Sequence, residues 1–427
     1  MAGGRAAVSR TATGILIPLD VPPARPRVGT VNTPATPFRR VGIGTADISP
    51  TDEARVAAVL RSGRLSAGPM THAFETAIAG LAGRRHANFL NSGTGALQMA
   101  LQALKEQRGW PDGAEVLVPA TTFVASVNTI LYAGLTPRLV DVDPDTYTID
   151  PNATEAAITP HTVAIMAVAI AGLPADLVAL AGIAERHNLA LIEDSAEAIG
   201  VRRDGLPTGG AGIVGCYSTY MAHILTTGVG GLTVTDDEDL HTRIRSLMNH
   251  GRDPIYLRID DDEHVDDARL RAIVAGRYRF VSRGQSFRAT EMEAALGLGQ
   301  VERIANNLAA RRAIACELHA VFVAHGLTPQ VVPAGADHAY MFFAATAPDR
   351  ATRERVLLAL ERAGVETREL LPILGQPCYA DLDFDPARTP VAADLIARAF
   401  YIGCHQGMTS VDVAHIAAVL DQAGLRA

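Results

Sequence analysis

Three short segments carry side chains able to do chemistry, and the first two lie where a predicted strand ends. Ser92-Gly93-Thr94 forms a turn before a predicted helix, where backbone N–H groups and the positive helix end can hold a phosphate. Glu193-Asp194 ends a very apolar stretch, where burying a carboxylate is costly without a partner. Ser218 could add a hydroxyl to the phosphate site, and His223 offers an imidazole that moves protons near neutral pH.

Each of these features also has an ordinary structural interpretation. A plain tight turn explains Gly93 and Thr94 about as well as a phosphate site does. Asp194 could be an ordinary helix N-cap. Alternatively, its carboxylate could pair with the protonated ring nitrogen of a bound pyridine, which would keep that ring an electron acceptor. Phe123 follows another predicted strand and could stack on a flat ligand, but core packing is the better interpretation for an isolated aromatic residue.

Alternating strand and helix signals predict the elements that bring these segments together. We expect strands at 87–90, 115–119, 138–142, 162–170 and 189–194, and helices at 94–104 and 176–187. This alternation predicts a mainly parallel sheet with helices on both faces. A capping pattern from Ser49 predicts an earlier helix, and a long helix begins near Thr290 and passes Arg311. Segments 341–346, 352–364 and 411–423 predict a smaller α+β part.

These patterns divide the 427 residues into three predicted parts. Residues 1–40 form a flexible N-terminal arm, 41–310 a large cofactor-binding domain, and 311–427 a small C-terminal domain. The net charge of -8 argues against nucleic-acid binding. The longest apolar stretch is too short to cross a membrane, and the N-terminus lacks a signal-peptide core, so we expect a cytoplasmic protein. The four cysteines are far apart, which argues against a metal site or an iron–sulfur cluster.

Several ordered motifs together resemble the DegT/DnrJ/EryC1/StrS family of sugar aminotransferases, which depend on pyridoxal phosphate (PLP). The resemblance begins near Ile48 and extends to the C-terminus. Its motifs are 61–69 (RSGRLSAGP), 92–94, 141–147 (DVDPDTY), 193–198 (EDSAEA), 218–231 and 294–300 (AALGLGQ). It implies the PLP-dependent transferase fold type I, an α/β fold with a smaller α+β C-terminal domain. It also implies a homodimer with active sites at the subunit interface.

The resemblance assigns roles to individual residues. Gly93, Thr94 and Ser218 would hold the cofactor phosphate, Phe123 would stack on the ring, and Asp194 would pair with the pyridine nitrogen. Glu197 stands where the family usually has a glutamine beside the phenolic oxygen, so we expect a protonated phenol or a protonated acid. Ser286 stands where an asparagine usually reaches the partner subunit's phosphate, which leaves that contact in doubt.

The main departure from the family pattern is His223, which occupies the position of the lysine that forms the Schiff base with PLP. The chain has one lysine, Lys105, and we expect it on the surface about 15 Å from the cofactor, at the far end of its helix. The resemblance implies a branch, the 4-keto-6-deoxy-sugar 3-dehydratases, in which histidine replaces lysine. Those enzymes use pyridoxamine phosphate (PMP), and the histidine removes a proton from its C4′ carbon. The scattered cysteines argue against the iron–sulfur subgroup of that branch.

Three hypotheses about function stay open at this point. The first is C3 deoxygenation (dehydration) of a nucleotide-linked 4-keto-6-deoxy sugar, with His223 as base, non-covalently bound PLP or PMP, and glutamate as amino donor. The second is an aminotransferase acting on a keto sugar or cyclic ketone, and the third is a catalytically idle cofactor-binding protein. Substrate contacts could come from Arg288, Arg368, His250 or His405, although a surface role is the default for each arginine.

Overall fold

Residues 40–258 and 260–425 are described by a computed structural model of the chain. Their strands are β1 His86–Leu90, β2 Glu115–Pro119, β3 Thr136–Val140, β4 Thr162–Val168, β5 Ala190–Asp194, β6 Arg202–Arg203, β7 Leu206–Pro207, β8 Val214–Ser218, β9 Gly231–Thr235, β10 Thr328–Pro329, β11 Phe342–Thr346, β12 Thr367–Glu369 and β13 Ala399–Gly403. The helices are α1 Pro50–Ser62, α2 Pro69–Ala82, α3 Gly93–Arg108, α4 Val124–Tyr132, α5 Pro151–Ala156, α6 Leu177–Arg186, α7 Glu238–Leu247, α8 Asp267–Gly276, α9 Glu291–Ala324, α10 Arg350–Arg362, α11 Pro390–Arg398 and α12 Ser410–Gln422.

Seven strands form the central sheet, in the order β1-β9-β8-β5-β4-β2-β3. The pairs β2–β3, β2–β4, β4–β5 and β5–β8 are parallel, whereas β9 runs antiparallel to both of its neighbours. Residues in β2, β4, β5 and β8 are almost all buried, as expected for parallel strands covered by helices on both faces. The prediction of a mainly parallel sheet is confirmed.

A smaller antiparallel sheet has the strand order β10-β11-β13-β12 and follows the long helix α9. Its apolar core includes Phe322 from α9, Phe343 from β11 and Phe400 from β13. The predicted boundary at residue 310 falls inside α9, so this helix packs in both parts of the molecule, and the division into domains stays a prediction.

Most predicted elements agree with the observed ones to within a few residues. Ser49 caps α1 through a capping box with Asp52, and Thr290 caps α9 in the same way with Glu293. The expected strand at 138–142 is shifted, because β3 starts at Thr136 and ends at Val140. The arm predicted at 1–40 lies outside the described residues, except for its last residue. Within the described part of the chain, none of the helices is long and apolar enough to cross a membrane.

Candidate functional site

A cavity of about 460 Å³ opens at the carboxyl edge of the central sheet. Strands β1, β2, β4, β5 and β8 all end at this edge because they run parallel, so their following residues converge there. The residues that line it are Ile43, Ser92, Gly93, Thr94, Leu97, Thr122, Phe123, Ala125, Val168, Ala169, Asp194, Ala196, Glu197, Ser218, Tyr220, Ala222, His223, Val229, Gly230, Met341, Phe342, Leu371 and Tyr401. Six of the predicted site residues and His223 therefore share one cavity.

The phosphate turn lies at the N-terminus of α3. Ser92 caps the helix by accepting a hydrogen bond from the Gly95 N–H at 3.0 Å. The N–H groups of Gly93 and Thr94 belong to the first helical turn, which has no preceding helical carbonyls to accept them. A Cβ atom on Gly93 would lie only 2.7 Å from the Ser218 Cβ, so glycine is required for the turn to approach β8 this closely. The resulting cradle suits a phosphate group.

Asp194 is buried at the end of β5 without a cationic partner among the described residues. Its Oδ2 accepts a hydrogen bond from the Ser126 hydroxyl at 2.7 Å, and Oδ1 accepts one from the Ala196 N–H at 3.3 Å. Burial raises the pKa of this carboxyl group. A turn rather than a helix follows Asp194, so the helix N-cap interpretation is wrong. Its neighbour Glu193 accepts backbone hydrogen bonds from the 209–212 loop and so has a structural role.

Phe123 lies at the start of α4 with 57% of its surface exposed, and its ring lines the cavity. An exposed aromatic ring at a cavity wall is not packed in the core, so the structure does not support the core-packing interpretation. Phe123 could therefore stack on a flat ring that is bound between the phosphate cradle and Asp194.

Glu197 lies in the turn after β5, and its Oε2 accepts a hydrogen bond from the Ala171 N–H at 2.7 Å. Burial raises the pKa of Glu197 to about 8. The negative charge of nearby Asp194 also raises the pKa, whereas the hydrogen bond from Ala171 lowers it. The group is therefore mostly a neutral acid at pH 7, able to donate a hydrogen bond into the cavity. Of the two expectations for this position, a protonated acid fits the structure.

His223 faces the cavity from the loop after β8. Its Nδ1 lies 2.7 Å from the carbonyl oxygen of Ala196. Because a carbonyl only accepts, Nδ1 must carry the proton, and Nε2 keeps the lone pair. Burial lowers the pKa of His223 to about 4, and the positive charge of Arg311 acts in the same direction. The imidazole is therefore neutral at pH 7 and can act as a base through Nε2.

Lys105 is far from the cavity, at the opposite end of α3. Its Nζ donates to the Asp112 carboxylate and to the Ala133 carbonyl at 2.7 Å. The twelve residues between Gly93 and Lys105 correspond to roughly 18 Å of helix. The structure places Lys105 in a structural role near the surface, as expected.

Ser286 does not line the cavity of its own chain. It is exposed, and its hydroxyl accepts a hydrogen bond from Arg288 at 3.3 Å. Its contact to a partner's phosphate stays a prediction. Arg288, Arg368, His250 and His405, which were considered for substrate contacts, are also outside the lining residues.

The sequence patterns missed most of the apolar side of the cavity. One wall of the cavity, which we call the inner wall, is formed by Met341 just before β11, Phe342 of β11 and Tyr401 of β13. The rings of Phe342 and Tyr401 stack with their centroids 3.8 Å apart. Ile43 closes the cavity from a segment before α1. Leu371, from the segment after β12, also lines the cavity. Ser126 was also missed, although its position one helical turn after Thr122 was a usable signal.

The cavity fits a PLP-type cofactor on its own geometry. A phosphate cradle, an exposed aromatic ring and a buried carboxylate without a cation are arranged in one apolar space. The carboxylate would gain its missing counter-charge from a protonated pyridine nitrogen. Lys105 is the one lysine of the sequence, and it is not among the residues that line the cavity.

Comparisons with known proteins agree with this geometry. Residues 46–421 match the DegT/DnrJ/EryC1/StrS aminotransferase family. GDP-perosamine synthase of Caulobacter vibrioides is 34% identical over 362 residues, which cover 84% of this chain and 91% of that protein. A DegT DnrJ EryC1 StrS aminotransferase from Brucella abortus superposes with a TM-score of 0.76 at 27% identity, covering 87% of this chain and 95% of that one.

A third comparison supports the fold alone, because its identity is lower. The E. coli GDP-4-keto-6-deoxy-D-mannose-3-dehydratase, solved with bound hydrated PLP, has a TM-score of 0.80 at 23% identity, covering 89% of this chain and 99% of that one. The match to the family covers nearly all of the described residues and includes every segment that lines the cavity except Ile43. This chain therefore belongs to the DegT/DnrJ/EryC1/StrS aminotransferase family, whose members depend on PLP or PMP.

Proposed function

We propose that this protein binds PLP or PMP non-covalently and acts on a nucleotide-linked 4-keto-6-deoxy sugar, removing the C3 hydroxyl. The observation that carries the proposal is His223, with Nδ1 bonded to Ala196 and the Nε2 lone pair free toward the cavity. Lys105, the one lysine of the sequence, does not line the cavity and so would leave this position to the imidazole. The proposed homodimer would complete the site, with Ser286 reaching the partner's phosphate.

The chain's own groups would hold the cofactor by four kinds of contact. The N–H groups of Gly93 and Thr94 and the Ser218 hydroxyl would bind the phosphate, Asp194 would bind the pyridine N–H, and Phe123 would stack on the ring. Glu197, as a neutral acid, would donate a hydrogen bond to the phenolic oxygen. PMP, when bound, supplies an amine for the sugar's keto carbon and a ring that takes up electrons.

His223 would move the proton that the reaction requires. Its neutral Nε2 would accept the proton released at the C4′ carbon and, once protonated, would give it to the departing C3 hydroxyl, which would leave as water. Because Nδ1 is held by the Ala196 carbonyl, the ring keeps one tautomer and one orientation through this transfer. Glutamate, the proposed amino donor, would return the amine to the cofactor after each turnover.

Amino transfer to the keto sugar is the second candidate function. It is favoured by the 34% identity to GDP-perosamine synthase, whose name describes the synthesis of an amino sugar. The same histidine could move a proton between C4′ and the sugar carbon, which is the step that amino transfer needs. The two reactions share the cofactor site and differ in whether the C3 hydroxyl leaves.

The discriminating experiment combines the purified protein with PMP, a GDP-linked 4-keto-6-deoxyhexose and glutamate. The proposal predicts a 3-deoxy keto sugar together with ammonia, identified by mass spectrometry and an ammonia assay. An amino sugar formed with glutamate as donor, without loss of the C3 hydroxyl, would replace deoxygenation by amino transfer. Failure to bind PLP or PMP at micromolar concentrations would instead favour an idle protein.

A further inference from the structure

Arg311 of α9 is the largest fully buried side chain among the described residues, with 0% exposure. Its guanidinium contacts no carboxylate in the described part of the chain. Nη1 donates to the carbonyl oxygens of Cys404 at 2.6 Å, Tyr340 at 2.9 Å and Met341 at 3.3 Å, while Nε and Nη2 have no partner among the described residues. Burying a charged group without an ion-pair partner destabilises the folded state. Groups that destabilise the fold in this way are expected near functional sites.

One branch of contacts leads from Arg311 to the acid of the cavity. The Met341 carbonyl accepts from Arg311, and the Met341 N–H donates to the Ala171 carbonyl at 2.9 Å. The Ala171 N–H in turn donates to Glu197 at 2.7 Å. Ala171 (φ +61°) and Tyr340 (φ +47°) both adopt the left-handed conformation, which persists only where surrounding contacts hold it.

The other branch leads to the end of β13. Cys404, whose carbonyl oxygen accepts the shortest of the three hydrogen bonds, directly follows this strand. Tyr401 of β13 lines the cavity and stacks on Phe342 of β11. Arg311 therefore connects both strands that carry the inner wall to the long helix.

The charge of Arg311 also bears on His223. The other titratable groups around the imidazole are Asp194 and Glu197 after β5, Tyr220 of its own loop and Tyr401 of β13. The permanent positive charge of Arg311 opposes protonation of the imidazole, and so it lowers the pKa of His223 in the same direction as burial. A neutral imidazole is the form that can accept a proton.

We propose that Arg311 is a positioning residue that holds the inner wall and, through Ala171, the carboxyl group of Glu197. The effects expected on kcat and KM rest on the proposed function. The structural and electrostatic parts of the inference concern the chain's own residues and can be tested without turnover.

The test compares Arg311→Met, which removes the charge, with Arg311→Lys, which keeps the charge but has a side chain that ends one bond short of the Nη1 position. The matched control is Arg312→Met. Arg312 is the next residue of α9, is exposed, and donates to the His338 carbonyl at 3.2 Å. Histidine labelled with ¹³C at Cε1 reports the titration of His223 by NMR in the cofactor-free protein, and a His223→Asn spectrum assigns its signal.

We expect Arg311→Met to move the titration midpoint of His223 upward, toward the ordinary value near 6.5, while Arg311→Lys leaves it low. In kinetics, Arg311→Met should lower kcat by ~10–100-fold, since misplaced groups at an active site have effects of this size. Arg311→Lys should raise KM for the sugar and restore part of kcat. Arg312→Met should match the wild type in every readout.

The proposal is overturned if Arg311→Met leaves both the His223 midpoint and kcat unchanged, or if Arg312→Met causes the same losses. Should Arg311→Met fail to fold, Arg311→Lys decides alone: an unaltered KM and kcat contradict positioning. A wild-type protein without turnover would count against the proposed function only. The His223 titration would then still support or contradict the role of Arg311.

Discussion

Nδ1 of His223 donates a hydrogen bond to the carbonyl oxygen of Ala196, 2.7 Å away, within the turn that follows Asp194. This contact joins the loop after β8 to the turn after β5. It fixes which ring nitrogen carries the proton and leaves Nε2 as the base. At the position where the family has a lysine, this chain therefore has a neutral imidazole, held in one tautomer at the cavity.

Replacing His223 by asparagine should remove the base while leaving the cofactor site intact. The asparagine amide could still donate to the Ala196 carbonyl, but it cannot accept a proton at neutral pH. We expect kcat to fall by about 10²–10⁴-fold, the range typical of a lost general base. The dissociation constant for PMP, measured by fluorescence titration, should stay close to that of the wild type. Unchanged turnover would remove His223 from the mechanism.

Replacing His223 by lysine should create a covalent anchor. After PLP is added and the protein is reduced with borohydride, peptide mass spectrometry should find a pyridoxyl group at position 223 of the variant. The wild type should carry none, because Lys105 is held by Asp112 and Ala133 at the far end of α3. A stable pyridoxyl group on Lys105 of the wild type would contradict non-covalent binding.

Asp194→Asn should weaken cofactor binding because the neutral amide cannot pair with a protonated pyridine nitrogen. We expect PLP affinity to fall by about 10–100-fold, as for the loss of a charged hydrogen bond. Ser126→Ala is the matched control, since it removes the 2.7 Å hydrogen bond to Asp194 but keeps the carboxylate. It should cost less affinity, and an equal loss in both variants would argue against a charge-specific role.

Glu197→Gln should change the pH dependence of stability. The folded-state pKa of Glu197 is raised to about 8 from an ordinary 4.5, so its contribution is fully present below pH 4.5 and is lost as pH rises through 8. The neutral glutamine does not titrate. The variant should therefore gain stability relative to the wild type with increasing pH, by up to about 5 kcal/mol at pH 9, because each pKa unit between about 4.5 and 8 corresponds to ~1.4 kcal/mol.

Urea unfolding at several pH values checks this difference. The gap between the two proteins should widen between about pH 4.5 and 8 and level off above that range. A gap that is the same at pH 5 and pH 9 would show that Glu197 does not titrate as the structure indicates. Cofactor affinity should follow the same trend, with an alkaline loss in the wild type alone.

The polar half of the site could be predicted because chemistry and topology coincide there. Gly93 and Asp194 follow or end strands that the apolar patterns identified, and parallel strands bring such ends to one edge. Ser218 was singled out as a residue, but the strand that it ends, β8, was not predicted. The tautomer of His223 could not be predicted, since it depends on the Ala196 carbonyl, a backbone atom that every residue has. The neutral state of Glu197 was one of two expectations, and its burial selected between them.

The apolar half could not be predicted for a different reason. Phe342 and Tyr401 belong to ordinary strands of the small sheet, and nothing in their local pattern distinguishes a cavity wall from a core. Their position depends on how that sheet packs against the central one through α9. Arg311 gives no signal in a chain with 37 arginines either, because its importance lies in complete burial, which only the folded structure shows.

The most direct measurement of the central claim is the loss of deuterium from the C4′ carbon of labelled PMP in the presence of the keto sugar. Either candidate reaction requires His223 to remove a proton there, so the measurement does not depend on which product forms. We predict rapid washout into water with the wild-type protein and a loss of about 10²-fold or more in rate with His223→Asn. Washout at the wild-type rate in that variant would contradict the assignment of His223 as the base.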